Sequence, residues 1–247
     1  MINLLETTFI IPVGIESSDR EDNVNITLSY LDKHLNTNII ILEYDTFPKI
    51  GKILEKLKLR NNVNYIFSKN STGNPIFHRT KFLNEMLMKV KTNVVVNYDV
   101  DILLEPWTYK ECSSLIENGQ DLVYPYFWGD SQYQVLKSGK DKIKKSLDLN
   151  SLVASDKNLT RSEYGHCQFF NTAKYIEGGM ENEGFISYAP EDQERGYRFK
   201  KLDYNVTWAN NYVYHIEHSR GINSSGSNPM MQHNNDLFNH IKSLSKE

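Results

Sequence analysis

At 247 residues, with 39% hydrophobic and 24% charged side chains, the chain is long enough for one large α/β domain and too ordinary in composition to be disordered or fibrous. A net charge of −3, with Lys and Arg scattered rather than clustered, removes the electrostatic case for nucleic acid as a partner. Two cysteines, Cys112 and Cys167, are too few for a disulfide framework and lack metal-type spacing. The start of the chain, Met1 to Pro12, has neither a basic leader nor an apolar span of bilayer length, so a cytoplasmic protein without a membrane helix is expected.

In chain order, Thr7 to Val13 reads as an apolar strand followed by a polar loop, Gly14 to Asp22. Val24, Leu28, Leu31 and Leu35 recur at helical spacing. Asn38 to Glu43 predicts a buried strand, Lys49 to Leu59 a helix, and Val63 to Phe67 another strand. This alternation implies a mostly parallel sheet with ligands at the carboxyl ends of its strands. After the turn cluster Ser71 to Pro75, a helix with Phe82, Leu83, Met86, Leu87 and Val90 on its apolar positions is expected, with Arg79 near its start. Val94-Val95-Val96 then predicts a strand buried on both faces, running through Asp99 and Asp101 to Ile102-Leu103-Leu104. Trp107 to Asn118 is helix-like and Leu122 to Phe127 an aromatic-rich strand. Residues 129–161 are polar and weakly patterned, and the least order is expected there. Tyr164 to Phe170 resumes strand character, a helix opens at Glu191, and Val206 to Tyr214 holds one or two last strands. A short helix at Leu237 to Leu244 follows a Ser- and Asn-rich tail.

Three groups of residues carry chemistry. Asp99 and Asp101, at spacing i, i+2 in an extended segment, would lie on one side about 7 Å apart. Two anions in an apolar run call for a cation, and a divalent ion that itself holds a diphosphate meets that need. The alternative is a strand end whose acids point into water. Glu191 and Asp192, after a Gly-rich loop and Pro190, read either as a helix start favoured by the macrodipole or as a general base. His215 and His218, three residues apart after a strand, read either as metal ligands or as a structural hydrogen-bonding pair.

Taken together these blocks resemble the metal-dependent nucleotide-sugar glycosyltransferases of the GT-A fold, in particular the β-1,4-galactosyltransferase and polypeptide N-acetylgalactosaminyltransferase branch. Residues 76–84 (IFHRTKFLN) are similar to that group's Ile-Phe-Asn-Arg-Ala-Lys-Leu-Leu-Asn, and Asp99-Val100-Asp101-Ile102 to its Asp-Val-Asp-Leu. Gly184-Phe185 followed by Glu191-Asp192 resembles its Gly-Phe and Trp-Gly-Trp-Gly-Gly-Glu-Asp, and His218-Ser219-Arg220 with Asn228-Pro229 its His-Ser-Arg and Asn-Pro. The blocks keep their order over nearly the whole chain. Ile186 to Pro190 departs from the tryptophan- and glycine-rich loop of that group, and Val13 to Arg20 from its early Phe-Arg-Asn-Arg.

The resemblance implies a single GT-A domain, α/β and Rossmann-like, with a mostly parallel central sheet flanked by helices. Residues 1–106 would form the nucleotide-binding half and 107–247 the acceptor-binding and catalytic half. It implies Asp101 and His218 as metal ligands, joined by His215 where the galactosyltransferases carry methionine, with Mn²⁺ or Mg²⁺ as cofactor. Arg79, Asp99, Glu43, Phe77, Tyr188 and Gly165 would bind the nucleotide sugar. Asp192 would be the base, with Glu191 on a sugar hydroxyl. The implied activity is inverting transfer of a hexose or N-acetylhexosamine, galactose or GalNAc favoured, from a UDP-sugar to a saccharide hydroxyl. The acceptor would belong to capsule, lipopolysaccharide or another surface glycan, a setting compatible with peripheral membrane association. A glucosyl- or GlcNAc-transferase of the same fold and a non-catalytic nucleotide-sugar-binding subunit are the alternatives. A metal-dependent phosphohydrolase would need further ligands for a second ion, and no such cluster is visible.

Overall fold

A computed structural model describes residues 1–245; the last two residues of the 107–247 half lie outside the described residues. In chain order the elements are β1 (Ile2–Val13), α1 (Ser18–His34), β2 (Leu35–Asp45), α2 (Ile50–Leu57), β3 (Asn62–Lys69), α3 (Arg79–Leu87), β4 (Val94–Tyr98) and β5 (Ile102–Leu104). They continue through α4 (Pro106–Glu117), β6 (Leu122–Tyr124), β7 (Gly129–Val135), α5 (Lys137–Ser146), β8 (Lys157–Ser162) and β9 (Cys167–Asn171). Last come α6 (Thr172–Glu177), α7 (Glu191–Lys201), β10 (Val206–Trp208), β11 (Val213–Ile216) and α8 (Met231–Ser243).

The main sheet has seven strands in the order β10-β6-β9-β4-β1-β2-β3. Strands β4, β1, β2 and β3 are parallel, as the strand–helix alternation predicts. Strand β9 enters antiparallel to both β4 and β6. Val94, Val95 and Val96 are buried on both faces, so the all-β-branched run needs no polar face. Phe9 on β1 meets Tyr98, Tyr109 and Phe169 edge-on at 5.3, 5.9 and 6.3 Å between ring centres, which locks α4 and β9 onto the centre of the sheet.

Two expectations need correction. The Val94 run does not continue as one strand through the two acids. Ile102 N donates to Asp99 O at 3.2 Å, closing a turn over Asp99-Val100-Asp101, and β5 leaves for a second sheet. That sheet has the order β5-β11-β7-β8. Residues 129–161, expected to be the least ordered, form β7, α5 and β8. Strand β7 pairs with both β11 and β8, and Val135 and Ile143 bury their side chains in the core. Their order comes from pairing with strands distant in sequence, which local pattern does not reveal.

Candidate active site

The end of β1 (Pro12 to Gly14) and the Asp99–Asp101 turn after β4 meet the end of β11 and the start of α7 around a cavity of about 400 Å³. The carboxyl ends of parallel strands are where a sheet of this type leaves a crevice. Within it, Asp101, His215 and His218 each offer a ligand atom, all within 4.8 Å of one another. His218 Nε2 stands 3.0 Å from Asp101 Oδ2, and His215 Nε2 stands 3.8 Å from Asp101 Oδ1.

The rings are held for ligation. His215 Nδ1 pairs with Gln134 Oε1 at 2.7 Å and His218 Nδ1 with Ser219 O at 2.8 Å. Each Nδ1 is thus engaged by an oxygen, and Nε2 is the ring nitrogen turned toward Asp101. Burial pushes the His215 pKa down. Burial works against ionisation of Asp101, but His215, His218 and Arg20 outweigh it and hold the carboxyl well below the usual range. Two imidazoles and a carboxylate are a donor set that fits a first-row divalent cation.

Arg79 lies beside this trio. It donates through Nη2 to Asp99 Oδ1 at 2.7 Å, and its Nη1 is 3.7 Å from Glu191 Oε1. Phe77 lines the cavity and packs against Tyr44 and Phe82, and a Cβ on Gly14 would lie 3.4 Å from its ring. Across from the trio, Glu191 and Asp192 occupy the first turn of α7. Glu191 Oε2 is buried without a hydrogen-bond partner, an orphan acceptor in the cavity wall. Asp192 is partly exposed and accepts from Gln193 N at 2.8 Å. Gly165 explains its own presence: a Cβ there would lie 3.1 Å from Asp192 Oδ2 and crowd the carboxylate. Tyr188 lines the same wall between Ser187 and Ala189, which hold φ of 67° and 42° in the left-handed region.

Asp101, His215, His218, Arg79, Asp99, Phe77, Gly165, Tyr188, Glu191 and Asp192 therefore share one cavity. Glu43 does not. It is fully buried, with Oε1 accepting from Lys49 N at 2.8 Å and Oε2 from Ile50 N at 3.1 Å and Tyr65 OH at 2.5 Å. Both oxygens thus serve the start of α2, apart from the residues that line the cavity.

Three residues of the site escape the sequence reading as participants. Arg20 Nη1 lies 3.6 Å from Asp101 Oδ2. Gln134, which faces His215 Nδ1, sits in the stretch where the least order is expected. His166 lines the cavity 5.7 Å from the His215 ring, with φ of 74°, and burial, then the charge of His215, pushes its pKa down to about 4. No periodicity marks a histidine in the left-handed region, and its neighbour Gly165 is the one local signal of an unusual backbone there.

No family model matches the chain, and no curated protein matches it in sequence. Solved structures do share its fold. S. aureus TarS, in a fragment complexed with UDP-GlcNAc, is 14% identical with a TM-score of 0.57 over 87% of this chain and 59% of that one. The mannosyltransferase PcManGT from Pyrobaculum calidifontis, in complex with GDP-Man and Mn²⁺, is 13% identical with a TM-score of 0.53 over 87% and 58%. The catalytic domain of Drosophila β1,4-galactosyltransferase 7, in complex with xylobiose, is 12% identical with a TM-score of 0.51 over 88% and 72%. The chain spans less than two thirds of the length of the first two. The architecture is that of the GT-A glycosyltransferases, a mixed α/β domain with a mostly parallel central sheet flanked by helices.

Proposed function

We propose that this GT-A-fold chain is a metal-dependent glycosyltransferase. It moves a hexose or N-acetylhexosamine, galactose or GalNAc in first place, from a UDP-sugar to a saccharide hydroxyl with inversion. One observation carries the reading: Asp101, His215 and His218 converge on the same cavity as Arg79, Glu191 and Asp192. The nucleotide-sugar complexes of the similar folds support it.

Mn²⁺ is the ion in first place, with Mg²⁺ second, and when bound it supplies charge neutralisation for the departing diphosphate. Arg79, its fork oriented by Asp99 and Glu191, contacts the nucleotide with the donors it has left, and Asp99 and Phe77 lie near the ribose and base. Glu191 holds a hydroxyl of the transferred sugar, with Tyr188 against the ring. Asp192 takes the proton of the acceptor hydroxyl as its oxygen attacks the anomeric carbon from the face opposite the diphosphate. A single displacement inverts that carbon. Residues 1–106 bind mainly the donor and residues 107–247 the acceptor, although the metal ligands come from both.

The test is incubation of the chain with a panel of UDP-sugars, and GDP-mannose for comparison, with and without Mn²⁺, reading slow release of the nucleoside diphosphate. Release from one or a few UDP-hexoses, dependent on the divalent ion, is the expected result. No release from any sugar nucleotide would remove the enzymatic reading.

A further inference from the structure

Helix α1 carries polar side chains on one face, at Asp19, Asn23, Thr27 and Tyr30, spaced so that each lies one turn beyond the last. Asn23 and Thr27 are 0% exposed and Tyr30 is 1% exposed, in positions where apolar residues would ordinarily fill a core. Buried polar groups are costly unless they find partners. Here the partners are main-chain groups of two segments far apart in sequence.

One segment is the Asp99–Asp101 turn with β5. Thr27 Oγ1 donates to Val100 O at 2.7 Å, the carbonyl next to Asp101, and Tyr30 OH donates to Leu104 O at 2.9 Å. The other is the chain leaving β11. Asn23 Nδ2 lies 3.4 Å from both Ile216 O and Glu217 O. Asp19 accepts from the Ser219 amide and, at 3.1 Å, from the Ser219 hydroxyl. Ser219 O is the group that faces His218 Nδ1. From α5, Lys140 Nζ holds the main chain of Asp19 itself at 2.9 Å.

The two segments also pair directly, Ile216 N donating to Asp101 O at 2.8 Å. That bond sets the register of β5 and β11, and with it His215. His218 lies beyond the ladder, where the backbone is tied to α1. We infer that α1 is a positioning element for the metal centre: Thr27 fixes the Asp101 turn, and Asp19 holds the amide and hydroxyl of Ser219, the residue whose carbonyl faces His218 Nδ1. Neither residue belongs to the trio that offers ligand atoms. The inference rests on the metal reading above.

The full chain and four variants, Asp19→Ala, Asp19→Asn, Thr27→Val and Thr27→Ser, are titrated with Mn²⁺ while free ion is read by electron paramagnetic resonance. Unfolding midpoints in chelator are measured in parallel. Asp19→Ala and Thr27→Val are expected to weaken Mn²⁺ binding about 10- to 100-fold, the usual effect of losing a group that orients a ligand. Thr27→Ser keeps the hydroxyl and stays close to wild type, and Asp19→Asn keeps an acceptor and falls between. A merely structural role would lower the midpoints and leave the Kd of the folded protein unchanged, and that result overturns the inference. Should Thr27→Val not fold, the partly exposed Asp19→Ala decides. A wild-type chain that binds no Mn²⁺ overturns the inference together with the metal reading. Wild-type binding with unchanged Kd in both variants overturns the inference alone.

Discussion

Glu191 is buried and Asp192 beside it only partly covered, and in the proposed mechanism this difference separates their roles. A base must shed and regain protons to solvent or product, which suits the more open Asp192. Asp192→Asn keeps the shape and removes the basic oxygen, so turnover should fall by about 10² to 10⁴ while UDP affinity holds. Steady-state rates beside a UDP titration check this; retained turnover would leave Asp192 as a helix-start acid. Burial first, then the charge of Asp192, pushes the Glu191 carboxyl up to about 7 from an ordinary 4.5. Between those values the folded chain holds a proton that the unfolded chain releases. Stability from this group is therefore full below about 4.5 and is lost as pH rises toward about 7. Glu191→Gln should flatten that limb, read as the denaturant midpoint against pH in metal-free protein. Superimposable profiles would mean that Glu191 ionises like any exposed acid. Carboxyls held low, such as Asp101, act in the opposite sense at lower pH.

At the scale of elements, α7 owes its position to Arg195, which is 0% exposed and ties Glu181 through Nε and Nη2 at 2.6 Å each. A third bond runs from Nη1 to Gln168 Oε1 at 3.1 Å on β9. Removing one partner leaves the other charge buried without its counter-charge. Arg195→Ala or Glu181→Ala should thus cost about 3–5 kcal/mol in unfolding experiments, and a double replacement by apolar residues of similar volume much less. A double cost equal to the sum of the two single costs would mean that the pair is not coupled. None of this network is legible in the sequence, where Glu181 and Arg195 look like ordinary charges in a loop and a polar helix. What is legible follows from local rules: the buried β-branched run of β4, the alternation of β1 to β3, the acids opening α7. The second sheet is not, because β8 is short and mostly polar and gains order only through β7. The polar face of α1 is also hidden, since its apolar positions alone satisfy the helical period.

At the scale of the molecule, two connections close over the cavity and interlock. Asn223 Oδ1 accepts from Phe77 N at 2.9 Å and from Ser187 Oγ at 2.6 Å, and Asn228 Nδ2 donates to the same Ser187 hydroxyl at 2.7 Å. Asn234, fully buried on α8, accepts from Ile186 N at 3.1 Å and donates to the carbonyls of Ile186, Tyr188 and Ala189. Residues 178–190 and 221–228 therefore share their hydrogen bonds, and each contributes to the cavity wall through Tyr188, Asn223 and Ser224. Loops rich in Gly and Ser beside a site of group transfer have the character of lids that exclude water. Separate lids would gain protection separately, whereas segments joined through Ser187 should gain it together. Hydrogen exchange with and without UDP and Mn²⁺ is expected to slow in both segments at the same ligand concentration. Asn234→Ala removes the anchor that α8 gives residues 186–189, so in that variant 184–190 should lose more of its ligand protection than 221–228. Exchange that is identical with and without ligand would make both segments fixed walls, and the cavity would then admit its substrates without closure.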